Sequence, residues 1–98
     1  MDHSETNFEV RELEKLICRI RGVSDVVVIS VSQPSGSHLL KAFVEPDSGN
    51  QLSEQTIISH CLNKSTRGRA PASVTFCTIP RTPSGKVARL SLLEQHAG

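Results

Sequence analysis

The sequence contains no Trp and no Tyr, and three Phe are its only aromatic residues among 98. Its core must therefore be assembled from Val, Ile and Leu, and the aromatic platforms on which single-stranded nucleic acid stacks are missing. Apolar runs are short. The longest, the interrupted stretch Val26 to Val31, falls far below the roughly eighteen residues of a membrane helix, so a membrane role is not expected. Cysteine is sparse as well: Cys18, Cys61 and Cys77 are odd in number, widely spaced and without a CxxC pair. With no basic and apolar leader at Met1, that usage points to a reduced, cytoplasmic protein. Internal repeats and low-complexity segments are absent. What remains is ordinary globular usage, 37% hydrophobic and 21% charged, in a length that suits one domain with one core.

The formal charge of +1 conceals a polarity. Residues 1–50 hold five Lys or Arg against eight Asp or Glu, whereas residues 51–98 hold six against two, so the halves differ from −3 to +4. A basic C-terminal half suits a phosphate-bearing ligand or an acidic partner, and scattered solvated cations explain it equally well.

Apolar residues at Val10, Leu13, Leu16, Ile17 and Ile20 recur every three or four positions, which predicts a helix over Val10–Ile20 that Gly22 stops. Val26 to Val31 is β-branched almost throughout and reads as a central strand. The turn residues Gln33–Ser37 separate it from a second strand, His38–Glu45, which predicts an antiparallel pair closed by the turn Pro46–Asn50. Ser53 is placed to cap a second helix, to about Lys64, with Ile57, Ile58, Cys61 and Leu62 on one face. Val74–Ile79 reads as a third strand, and Val87, Leu90, Leu92 and Leu93 as a short last helix. The order predicts an α+β fold in one domain: a small three-stranded, mainly antiparallel sheet covered by helices.

One segment has the composition of a chemical tool. In Pro80-Arg81-Thr82-Pro83-Ser84-Gly85-Lys86 two prolines stiffen the backbone, Gly85 permits close approach to a ligand, and Lys86 ends the arm with a compact positive charge. A phosphate-binding Walker loop is excluded, because Pro80 stands where its first glycine belongs and Val87 where its Ser or Thr belongs. On composition alone, an ordinary surface turn remains the competing reading.

The whole string Ile79 to Arg89 resembles the last signature of the adenylate-forming superfamily, which comprises acyl-CoA and aryl-CoA synthetases, nonribosomal peptide synthetase adenylation domains and luciferases. Further matches follow in order. Glu12-Leu13-Glu14 and Gly22-Val23-Ser24-Asp25-Val26-Val27-Val28 resemble the family's Glu-Ile-Glu helix and Gly-Val-x-Asp-Ala-Val-Val strand. Lys41-Ala42-Phe43-Val44 resembles a strand of the family, Leu52-Ser53-Glu54 the start of its next helix, and Arg69-Ala70-Pro71 a weakened Lys-Val-Pro segment. The Thr-Pro-Ser-Gly-Lys-Val wording is nearer to acyl-CoA synthetases than to peptide synthetases.

This resemblance implies a family C-terminal subdomain over residues 8–95, preceded by a flexible remnant at 1–7. It implies a ligase component, inactive alone, that presents Lys86 as the catalytic lysine of acyl-adenylate formation to an N-terminal adenylation core carried elsewhere. Arg81, Thr82, Pro83, Ser84 and Gly85 are then the nucleotide-facing loop, and Arg69 and Arg89 basic docking residues. ATP and Mg2+ belong to the core, with CoA or a carrier-protein phosphopantetheine as acceptor, as in thioester or nonribosomal peptide and polyketide biosynthesis. The family's hinge, expected before Phe8, has no match in Met1–Asn7. Glu5 stands where the thioester-forming loop carries a glycine, which counts against that second half-reaction. Gly68-Arg69 keeps a cation where the family has an aromatic and a lysine.

A non-catalytic module could use the same fold to dock an adenylation core or carrier protein. Nucleic-acid binding through Arg67, Arg69, Arg81 and Arg89 is disfavoured by the near-neutral total. His3, His38, His60 and His96 lack ligand spacing, so no metal site is expected. Cys18 and Cys61 are expected in helix faces and Cys77 in a strand. Glu12 and Glu14 read as a solvated first-turn pair suiting the helix dipole, and the Thr82 and Ser84 hydroxyls as shaping the loop rather than as phosphorylation sites.

Overall fold

The computed structural model describes residues 3–47, 52–66 and 68–95. The turn expected at Pro46–Asn50 lies outside the described residues from position 48, as do Arg67 and His96. Helix α1 (His3–Cys18) leads into strand β1 (Val23–Ser32), which turns back as β2 (His38–Pro46); helix α2 (Glu54–Lys64), strand β3 (Ser73–Phe76) and helix α3 (Arg89–Gln95) follow. The sheet order is β1-β2-β3. β1 and β2 run antiparallel, with Val26 opposite Val44 and Val28 opposite Ala42. β3 joins β2 in parallel, from Lys41 opposite Ser73 to Val44 opposite Phe76. A parallel neighbour needs a crossover, and α2 supplies it.

β1 is thus an edge strand rather than the central one its apolar run suggested. The run reports coverage of both faces instead of position in the sheet. On one face, Val28, Ala42 and Val44 pack with Leu13 and Ile17 of α1 and Ile57 and Cys61 of α2. On the other, Val27, Ile29 and Phe43 meet Ile79 and Leu92 of the C-terminal segment. Consecutive residues of β1 feed alternate layers, so nearly every position must be apolar. The open edge of β1 is blunted by carboxylates: the backbone N–H of Val28 donates to Glu14 Oε2 at 2.9 Å and that of Val26 to Asp25 Oδ1 at 2.9 Å.

Several sequence expectations are corrected. α1 begins at His3, not Val10, because the stretch before Val10 contains neither Gly nor Pro and helix propagation is cheap once nucleated. Residues 3–7 of the expected flexible remnant are therefore helical. That start places Glu12 and Glu14 beyond the first turn, and both are engaged: Glu12 Oε2 accepts from the N–H and the hydroxyl of Thr66, and Glu14 holds β1. α1 ends at Cys18, ahead of Ile20; the turn after it passes through Gly22, whose φ of 98° falls in the left-handed region that glycine tolerates. Cys18 is exposed rather than packed, and Cys77 lies one residue past β3. β3 is shorter than Val74–Ile79 because the chain leaves the sheet to bury Ile79 on the opposite face. Leu62 and Leu90, expected on buried helix faces, are 50% and 77% exposed. In α2 only Ile57 and Cys61 are fully inside, and in α3 only Leu92. The Ser53 cap is as expected: its hydroxyl accepts from the Thr56 N–H at 3.1 Å.

Candidate functional site

The C-terminal segment reaches the surface as a short hairpin. Its base is fixed by buried Ile79, whose N–H donates to Glu45 Oε1 at 2.9 Å, and by the Ala88 N–H bonding the Pro80 carbonyl at 2.8 Å. Arg81 and Val87 form an antiparallel bridge. Above it the Thr82 N–H bonds the Lys86 carbonyl at 2.7 Å, and the Gly85 N–H bonds the Thr82 carbonyl at 2.8 Å. The turn is closed with Gly85 at φ 90°, a conformation other residues adopt only under strain. Thr82 Oγ1 and Ser84 Oγ lie 3.0 Å apart, and Thr82 Oγ1 also accepts from the Lys86 N–H at 3.2 Å. These hydroxyls shape the turn.

Arg81 ties the hairpin to the sheet. Its Nε donates to Asp25 Oδ2 at 2.9 Å and its Nη2 to Oδ1 and Oδ2 at 2.8 and 2.6 Å, while Nη1 donates to the Gly85 carbonyl at 2.7 Å. One guanidinium thus joins the start of β1 to the residue before Lys86. Arg81 is occupied within the protein, in bonds that hold the hairpin to β1. Lys86 differs. It is exposed, and among the described residues its ammonium meets no carboxylate and no acceptor.

Arg69 and Arg89 do not join it. Arg69 is exposed on the helix layer, where its Nε approaches Glu9 Oε1 at 3.8 Å and its N–H bonds Ser65 Oγ. Arg89 opens α3 and lines a groove with Arg11, Glu14 and Ser30. That groove and three others, of about 350–450 Å3 each, lie along α1, the β1 edge and the Glu45–Thr78 region, and Lys86 lines none of these four. The hairpin therefore offers one cation at a protruding tip and no cavity beside it among these grooves. Among the described residues no three His, Cys, Asp or Glu converge as metal ligands, and no helix is long and apolar enough to cross a membrane. Of the three free cysteines, buried Cys61 has its thiol pushed up to about 11 by desolvation. Burial, and then the Glu45 carboxylate, raise Cys77.

Asp25 is the residue that sequence reasoning passed over. It sat inside a recognised strand motif, but nothing in the pattern revealed that a carboxylate 56 positions from Arg81 is its partner.

A three-stranded sheet with two helices on one face and a hairpin and short helix on the other has known counterparts in fold. The chain belongs to the AMP-binding enzyme C-terminal domain family, whose profile matches residues 12–86. It is 36% identical over 87 residues to the long-chain-fatty-acid–CoA ligase FadD13 of Mycobacterium tuberculosis, covering 88% of this chain and 17% of that protein. It is 31% identical to the sulfoacetate–CoA ligase of Cupriavidus necator, covering 89% and 17% respectively. Among solved structures, ATP-bound MatB from Rhodopseudomonas palustris superimposes with a TM-score of 0.77 at 25% identity, over 88% of this chain and 17% of that one. The chain thus spans about a sixth of the length of these relatives, as expected for a C-terminal subdomain alone.

Proposed function

We propose that this chain is the lid subdomain of an ATP-dependent carboxylic-acid-adenylating ligase, and that it supplies Lys86 to a core carried elsewhere. The observation that carries the reading is an ammonium with no partner among the described residues, at the tip of a hairpin held by the Pro80–Ala88 base, by the turn hydroxyls and by Arg81. In acyl-adenylate formation a carboxylate oxygen attacks the α-phosphorus of ATP, the bond to the β-phosphate oxygen breaks, and pyrophosphate leaves. Two anions must meet, and negative charge gathers on the phosphate oxygens. A cation delivered at fixed geometry lowers that barrier by charge-assisted contact. Lys86 suits this task because its charge is not spent inside the protein, and the rigid hairpin limits the ordering cost of placing it.

The triphosphate, Mg2+ and the acid are assigned to the core. The carboxylate-poor hairpin provides no ligand set for a metal, and an exposed tip that lines none of the four grooves described above is not the enclosed setting a nucleotide needs. CoA is favoured over a carrier-protein arm as acceptor, since the relatives named above include CoA ligases and the Thr82–Val87 wording agrees with them. The three free thiols fit a reducing, cytoplasmic setting.

The reading is tested by mixing the chain with an adenylation core that lacks its own small domain and following acid-dependent exchange of pyrophosphate into ATP. Exchange should rise with the wild-type chain and not with Lys86→Ala. Equal stimulation by both would remove Lys86 from the chemistry and favour a docking role.

A further inference from the structure

We infer that Asp25 is a positioning residue for Lys86, acting through Arg81 and the Gly85 carbonyl. The inference rests on the lid reading above and adds to it a residue on another element. The Asp25 carboxylate accepts three bonds from the Arg81 guanidinium, and Oδ1 also accepts the Val26 N–H. Carboxylate and guanidinium are both planar and the contact is two-pronged, so it fixes orientation as well as distance. The fourth guanidinium bond goes to the carbonyl of Gly85. The Gly85–Lys86 peptide plane is therefore set by a chain of contacts that begins on β1, in the sheet, and ends one residue from the amine.

The local turn would not do this by itself. The bonds within the hairpin, Thr82 to Lys86 and Gly85 to Thr82, join its two arms to each other and not to β1. The Arg81 side chain is what ties the turn to Asp25 at the start of β1. That side chain is 42% exposed and that of Asp25 26%, so solvent screens the charge attraction, and what the two-pronged contact adds here is geometric. Misplacing a reacting charge by an ångström costs far more in rate than such a contact contributes to folding.

Two measurements separate this inference from the reading it rests on. The first uses the chain alone: backbone NMR relaxation should show Ser84, Gly85 and Lys86 as ordered as the sheet in the wild type. They should become mobile in Asp25→Asn and in Arg81→Lys, with the Leu13 and Val28 amides unchanged. Asn keeps the acceptor for the Val26 N–H, so the fold is retained. An unchanged loop in both variants overturns the inference whatever the chemistry.

The second uses the chain with an adenylation core. Asp25→Asn should lower pyrophosphate exchange about ten- to hundredfold. Combining Asp25→Asn with Lys86→Ala should give no loss beyond Lys86→Ala. A further drop in the double variant, or undiminished exchange in Asp25→Asn while Lys86→Ala is impaired, would contradict a role through Lys86. If Lys86→Ala itself is without effect, the lid reading fails, and the relaxation result still decides whether Asp25 braces the loop.

Discussion

Lys86 is the residue whose surroundings differ most from those of its neighbours. Other hairpin side chains are spent on the turn or the sheet, whereas its amine faces outward without a partner among the described residues. Replacing it with Ala is expected to reduce adenylation about 10²- to 10³-fold, the scale on which single preorganised charge-stabilising groups act. The melting temperature of that variant should stay within a degree or two of wild type, since among the described residues the ammonium has no hydrogen-bond or ion-pair partner to lose. The cysteines give an independent check of burial. With a disulfide reagent at pH 8, Cys18 should react first, Cys77 more slowly and Cys61 only on unfolding. The pH dependence has a definite sign. The Cys61 thiol titrates at about 11 in the folded chain against 9.0 for the ordinary group, so between those values the unfolded chain releases a proton that the folded chain keeps. Stability should fall as pH rises from 9 toward 11 and be insensitive to this group below 9. Urea unfolding at pH 8 and 10.5 measures it. Cys61→Ala should be weaker at both values and lose less between them.

Elements were legible wherever a residue's pattern answered to a single neighbour. The Ser53 cap, the α2 span and the β1–β2 turn follow from local chemistry, and each is present. What escaped was long-range. An apolar run such as Val26–Val31 cannot tell a central strand from an edge strand covered on both faces, and Glu14, Glu45, Glu54 and Asp25 look solvated until the chain folds them onto backbone or guanidinium donors. The lysine loop was legible as a stiff arm because Pro80, Pro83 and Gly85 restrict or permit φ locally. Its tie to β1 was not, since 56 residues separate the partners. Two substitutions probe this scale. Gly85→Ala places a Cβ in open space but forces an L-residue to φ 90°, a backbone penalty of about 1–2 kcal/mol confined to the turn. Adenylation should suffer more than thermal stability. Leu92→Ala removes a fully buried side chain from the layer beneath the hairpin and should cost about 2–5 kcal/mol, read as a shift of the urea midpoint.

At the scale of the whole molecule, the sheet separates two tasks. The helix layer on one face, sealed by Leu13, Ile17, Ile57 and Cys61, gives the chain a core of its own; the thinner C-terminal layer on the other face carries the hairpin. On the proposed lid reading such a body moves as a unit and brings Lys86 to a site on the core, the domain-closure type of motion. On that reading this chain, which spans about a sixth of the length of its relatives, presents Lys86, and the core binds nucleotide and acid. Acid-dependent pyrophosphate exchange by a core without its own small domain puts that division to the test. Exchange should rise when this chain is added and fail to rise with Lys86→Ala. Stimulation that is the same with and without the lysine would contradict it.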